Sequence, residues 1–313
     1  MTGILLNALV PIFAVMALGY VAGWSRDIDN RHVAELNALV MDFALPASLF
    51  AATASTSRAL LLAQWPLTLV FIVSMLALYA LSYWMQRRLH GLGPCEASVQ
   101  ALTIALPNYA AAGLPLIAAV FGAADTIYVA LSIASGSIVL SPPTLAILEV
   151  HKAPAGERNL GVVLRAVGLS FVKPIVLGPV AGVAFSLLGI PLPTAVSSSL
   201  HLIGQAAGGV ALFLTGLILS SQRIELDRNV VSGVLLKNVV HPLFALGLML
   251  ALPIDRDIAR AVLILCALPS GFFGVLFGLR YGLESHVAGS TLIVSSLTSV
   301  ATLTVALVLT SGW

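Results

Sequence analysis

Ten apolar blocks run along the chain, over 4–23, 33–54, 62–85, 96–121, 126–149, 168–189, 195–220, 230–252, 258–280 and 286–310, with short polar stretches between them. Each is long enough to cross the hydrocarbon of a bilayer, which takes about 20 apolar residues in helical conformation. The pattern predicts an all-α polytopic membrane protein of ten transmembrane helices. Two blocks are interrupted at their middles. Pro107, in Ala105-Leu106-Pro107-Asn108, and Pro269, in Ala267-Leu268-Pro269-Ser270, each stand 11 residues into their block and 162 positions apart. Proline removes a helical hydrogen bond and its ring clashes with the preceding turn, so the backbone opens at mid-membrane, where lipid cannot satisfy it. Paired interruptions at matching places in two halves point to a transporter's binding site. Ala-Leu-Pro also occurs at 44–46 and 251–253, so position and the constant offset carry the signal.

The longest polar connection, from His151 to Arg165, separates five blocks from five. It divides the chain into a first repeat over 1–150, a cytoplasmic linker over 151–167 and a second repeat over 168–313. Five is odd, so the second repeat starts on the opposite side of the membrane and the two are inverted, with helices four and nine broken and crossing. Blocks four and five align with nine and ten at the same offset without a gap. The first block follows Met1-Thr2-Gly3 with no basic segment before it and no small-residue cleavage site after it, and is expected to be a retained helix.

Composition agrees: 59% of residues are hydrophobic, 9% are charged and mean hydropathy is +1.04. A soluble domain carries roughly a quarter charged residues. The net charge of +2 matters less than where the cations lie. With the amino terminus outside, the inner loops hold Arg26, Arg31, Arg87, Arg88, Lys152, Arg158, Arg165, Arg223, Arg228 and Arg280, and the outer loops only Arg58, Arg256 and Arg260. The cation count therefore predicts both termini outside the cytoplasm, in the cell inner membrane. Cys95 and Cys266 form neither a ligand cluster nor a plausible disulfide.

Under this topology the second halves of blocks four and nine begin near the bilayer centre with their amino termini converging. A helix amino terminus carries about half a positive charge and free N–H groups, a seat for a carboxylate. Asn108 and Ser270 follow the two prolines and could cap a half-helix or donate to a substrate. Gly113, Gly271 and Gly274 would allow close backbone approach, or pack helices tightly in lipid. Asp42 and Lys237 lie inside blocks two and eight at similar depth. Intramembrane charge is costly, which favours a functional role over a structural ion pair, although both readings stand. His241, four residues after Lys237, is on the same helix face and could relay protons or act as a neutral hydrogen-bonding histidine. Lys173 can snorkel to the interface as an anchor. His201 and Gln205, four apart, could face a substrate cavity, and the serines and threonines of blocks five and ten fit helix packing. Neither crossing segment contains an acidic residue between Ala97 and Ala124 or between Ile258 and Leu283, which disfavours a cation and favours an anion. A nucleotide phosphate loop, a zinc-protease helix and a hydrolase nucleophile elbow are absent, so an enzyme is not expected, nor a cofactor or metal site.

Leu106-Pro107-Asn108 followed by Gly113-Leu114-Pro115-Leu116, and Ala267-Leu268-Pro269-Ser270-Gly271, resemble the two crossover motifs of the auxin efflux carrier family. Pro11, Gly19, Tyr20 and Gly23 with Leu45-Pro46 are similar too, so the resemblance spans the chain and is nearest the bacterial branch of malonate and malate permeases. It implies a scaffold of helices one, two, six and seven, a mobile crossover unit, and contact between a carboxylate and Asn108 with the backbone around Pro107 and Pro269. The expected function is a secondary transporter of a small organic anion, a dicarboxylate such as malonate, by an elevator-type movement. Coupling to protons through Asp42, Lys237 or His241 and uniport driven by the membrane potential both stay open. A sodium- or proton-coupled carrier of a larger amphipathic acid and a ligand sensor without flux are the alternatives. The expected partners are the anion and the lipid bilayer, with a homodimer compatible and nucleic acid excluded.

Overall fold

The computed structural model describes residues 2–28, 33–122, 125, 127–152, 154, 159–221, 224–252, 254–283 and 285–310. Arg31, Arg158 and Arg223 of the charge count, Met1 and Pro253 lie outside the described residues. Fourteen helices make up the regular structure of the described residues: α1 Thr2–Ser25, α2 Val33–Ala54, α3 Arg58–Ala63, α4 Trp65–Arg88, α5 Pro94–Ala105, α6 Tyr109–Val120, α7 Ile127–Lys152, α8 Leu160–Phe171, α9 Pro174–Leu188, α10 Thr194–Ser220, α11 Arg228–Leu250, α12 Arg256–Cys266, α13 Phe273–Arg280 and α14 His286–Thr310.

Six of these, α2, α4, α7, α10, α11 and α14, are long and apolar enough to cross a membrane, and seven spans result if α8 and α9, bent by 59° at Lys173-Pro174, count as one. Fewer helices than blocks qualify: proline divides two blocks into pieces too short to span alone, α5 with α6 and α12 with α13, and in α1 only the shorter stretch Val10–Ser25 counts as an apolar helix. Residues 160–167, which the polarity pattern assigns to the linker, are already the start of α8. Asn159 caps it by accepting a hydrogen bond from Val162 N at 3.0 Å.

In lipid there is no hydrophobic force between helices, so association depends on close packing. The α1–α10 pair achieves it with Gly19 and Gly216: a Cβ at Gly19 would stand 1.9 Å from the Phe213 carbonyl oxygen, and one at Gly216 1.9 Å from that of Met16. The pair α2–α9 is built the same way, with Gly178 against the Pro46 backbone and Gly182 against Phe50 and Thr53. These four helices pack mainly on one another, while α4, α5, α7, α11, α12, α13 and α14 form a second group around the two breaks. Exposed Leu18, Leu202 and Leu250 lie on the outer surface of the bundle, and Trp24, Trp65 and Trp84 near helix ends, where membrane interfaces favour tryptophan.

Three helices carry a widened, π-type turn just before a proline: Leu39–Ala44 before Pro46, Tyr109–Gly113 before Pro115, and Leu236–Val240 before Pro242. The proline ring would collide with the carbonyl four residues earlier, and the wider turn makes room for it. The first and third of these turns each hold one of the two intramembrane charges, Asp42 and Lys237.

Candidate functional site

The two breaks meet. Leu106 is extended before Pro107, as a residue preceding proline prefers, and Pro107 pairs antiparallel with Ser270 in the one bridge of extended backbone among the described residues. Asn108 N donates to the Pro269 carbonyl at 2.9 Å, and Ser270 N donates to Ser295 Oγ at 2.9 Å. Ser295 in turn donates to Asn238 Oδ1 at 2.7 Å, so α11 and α14 hold the second segment in place. Gly271 is where the segments come closest: a Cβ there would lie 2.3 Å from the Leu106 carbonyl oxygen. Gly113 is looser, its nearest neighbour being the end of the Leu268 side chain at 3.2 Å.

Asn108 performs half of each role open to it. Its Oδ1 caps α6 by accepting from Ala111 N at 3.3 Å, while its Nδ2 is buried with no hydrogen-bond partner. Ser270 Oγ, fully buried, also has none, nor do Tyr109 OH and Ser137 Oγ. Unpartnered donors cost about 1–3 kcal/mol each in a protein interior. Both α6 and α13 start beside the bridge, and their free N–H groups add positive potential. A void of about 10 Å³, room for one water molecule, lies against Pro107, Asn108, Ser137 and Gly271.

A far larger cavity of about 890 Å³ opens between α1, α2 and α10 on one side and α6 and α7 on the other. It shares Ala110 and Ile133 with the void, so these two side chains separate the open space from the buried donors. His201 and Gln205 both line it, as their spacing suggests, together with Ser48, Ser55, Thr56 and Ser57. Among the described residues, no acidic side chain lines either space.

The two intramembrane charges do not meet. Lys237, fully buried, donates from Nζ to the Cys266 carbonyl at 2.7 Å and lies 3.3 Å from His241 Nδ1. Cys266 ends α12, so the ammonium sits at the negative end of a helix, a favourable place for a cation. His241 Nε2 is buried without a partner. Asp42 pairs instead with Arg280 at 2.7 Å, which joins α2 to the end of α13. Lys173, expected as an interfacial anchor, binds Glu149 at 2.9 Å, and Tyr281 OH donates to the same carboxylate at 2.6 Å. Burial first, and then the bond to Glu149, raises the Tyr281 pKa above the usual phenol range. Among the described residues no three His, Cys, Asp or Glu side chains group to hold a metal.

The pattern of the family described as membrane transport protein matches residues 4–307. The chain belongs to this family, that of the auxin efflux carriers. An Escherichia coli (strain K12) member, "Uncharacterized transporter YfdV", is 28% identical over 298 residues, 94% of each chain. Another, "Putative malonate transporter" of Rhizobium meliloti, is 28% identical over 307 residues, 95% of this chain and 92% of its own. "Auxin efflux carrier component 5" of Arabidopsis thaliana is 25% identical over 338 residues, 95% of this chain and 94% of its own. As a member of this family the chain is a membrane transporter and not an enzyme.

Three features of this transporter escape sequence reasoning. The Asn238–Ser295 pair that anchors the crossing looks like any other packing polar pair until α11 and α14 are side by side. The partner of Asp42 is remote in the chain. The Cys266 carbonyl that takes Lys237 is a backbone group, and only the break after Cys266 hints that it is free.

Proposed function

We propose that this transporter carries a small organic anion, a dicarboxylate such as malonate, across the cell inner membrane, with both termini outside the cytoplasm and a crossover unit that moves as an elevator. The observation that carries the reading is the crossing itself: buried donors of Asn108 and Ser270 without partners, at the start of two half-helices and with no acidic side chain among the described residues lining the void. One carboxylate accepts from Asn108 Nδ2, Ser270 Oγ and the Gly271 N–H, and lies against the backbone of Pro107 and Pro269, which have no N–H to offer. Gly113 lets α6 lie close to the second break. The name of the Rhizobium meliloti relative supports malonate as the first substrate to try.

Ten spans arranged as inverted repeats, 1–150 and 168–313 about the 151–167 linker, account for the two packing groups. The group α1, α2, α9 and α10 is the scaffold and the group around the breaks is the moving unit. Movement is supported by the way the two groups touch. The large cavity lies between them at one end, and Asp42–Arg280 and Lys173–Glu149 join them towards the other. Along α7, Ile133 at the cavity and Glu149 at the ion pair are 16 residues apart, roughly 24 Å at 1.5 Å per residue. The chain is thus open on the outer side and latched on the inner. In this reading Asp42 is part of the latch, and Lys237 with His241 ties α11 to the end of α12.

A second reading draws on cavity size. About 890 Å³ suits ligands larger than malonate, and its mostly apolar lining favours an amphipathic acid. Uptake of radiolabelled malonate, malate and indole-3-acetate into proteoliposomes separates the two. Malonate accumulation that falls at least tenfold in Asn108→Ala supports the first reading, and preference for the aromatic acid supports the second. A folded wild type that moves no carboxylate overturns both, and saturable binding without flux identifies a sensor.

A further inference from the structure

Among the described residues lining the large cavity, His201 is the one ionisable side chain, and Gln205 stands one helical turn further along the same face of α10. Both are exposed to the cavity, and neither makes a hydrogen bond to a described residue. The same cavity is lined by Ala110, Ala111 and Leu114 from the first turns of α6, the half-helix that Asn108 caps. The cavity therefore has two polar features: helix N–H groups and the Asn108 amide next to Ala110, and an imidazole with a carboxamide on α10. The rest of the lining is mainly aliphatic, with hydroxyls from Ser48, Ser55 and Thr56 on α2 and its end. A ligand with one acidic group satisfies only one of the two features.

We infer that His201, aided by Gln205, binds the second carboxylate of the substrate and so determines selectivity for dicarboxylates over monocarboxylates, an inference that rests on the anion reading above. The first carboxylate goes to the crossing, and the imidazole and the Gln205 amide donate to the second from the scaffold side. The chemistry recognised is a short aliphatic dianion, and a ligand whose distal acid is masked loses this contact alone.

The test is calorimetric binding of malonate and of monomethyl malonate, which differ by one charge, to purified full-length protein in nanodiscs. The expected result is that the ratio of malonate to monomethyl malonate affinity drops at least tenfold in His201→Ala and is kept within threefold in His201→Arg, which supplies N–H donors again. Gln205→Ala should lower the same ratio by a few fold. If wild type binds malonate and the ratio is unmoved in His201→Ala, the assignment of His201 is wrong while the anion reading stands. If wild type binds neither ligand, the anion reading fails and this inference with it.

Discussion

Replacing Gly271 by alanine tests how tightly the two breaks must meet. The added Cβ would lie 2.3 Å from the Leu106 carbonyl oxygen and 3.2 Å from that of Pro107, both backbone atoms that cannot swing away. Reaching ordinary contact requires a shift of roughly 1 Å between the segments, beyond what a packed interior absorbs for free. Overpacking of this kind costs about 1–3 kcal/mol. The same shift would stretch the 2.9 Å bond from Asn108 N to the Pro269 carbonyl past hydrogen-bond range, adding about 1–3 kcal/mol for a buried donor left alone. A loss of roughly 2–6 kcal/mol in stability is expected, seen as a lower unfolding temperature in nanodiscs. Malonate uptake should fall on the order of 100-fold, the usual penalty for displacing positioned groups by about 1 Å. Gly113→Ala is the control. Gly113 has helical dihedrals, φ −67° and ψ −47°, and its nearest neighbours are side-chain methyls at 3.2–3.4 Å. Alanine there costs little and can gain up to about 1 kcal/mol of helix propensity. Full uptake in Gly271→Ala, or a larger loss in Gly113→Ala, would refute the crossing as the working site.

Lys237→Gln, which keeps a donor for the Cys266 carbonyl, should retain more than half of wild-type uptake in proteoliposomes, while Lys237→Met should lose most of it; equal loss in both would make the charge itself the requirement. Asp42→Asn combined with Lys173→Gln removes both inner ion pairs, whose side chains are 13–28% exposed in one and 25–32% in the other. At roughly 0.2–1 kcal/mol each, such pairs shift an outward-to-inward equilibrium by about 2- to 30-fold in all. Labelling of Ser48→Cys by an impermeant maleimide, with Cys95 and Cys266 replaced by alanine, should slow accordingly, and an unchanged rate would remove the latch. Asn108→Ala should lower the unfolding free energy by about 1 kcal/mol through loss of the α6 cap, measured by thermal denaturation.

The breaks at Pro107 and Pro269 are legible in the sequence because proline in a long apolar block has one physical meaning. That the breaks touch is not, since contact needs the positions of α4, α7, α11 and α14 around them. Asn108 illustrates the limit: its identity allows a cap or a donor, and the fold uses Oδ1 for the first and leaves Nδ2 for the second. Lys237 and His241 share a face by their spacing alone, whereas Asp42 and Arg280, 238 positions apart, meet only through tertiary packing. Block length overstates the number of continuous spans, because hydropathy does not register the break that a proline makes. His201 and Gln205 can be placed on one face from the sequence, but the cavity they line belongs to six helices.

The central claim is that the crossing receives a carboxylate through the free amide of Asn108. Calorimetric titration of malonate into wild type and Asn108→Asp tests it most directly, because aspartate caps α6 as well as asparagine does while replacing a donor by a negative acceptor. The account predicts saturable malonate binding to wild type and none to Asn108→Asp, with unfolding temperatures alike. Equal malonate affinity in the two proteins would contradict it.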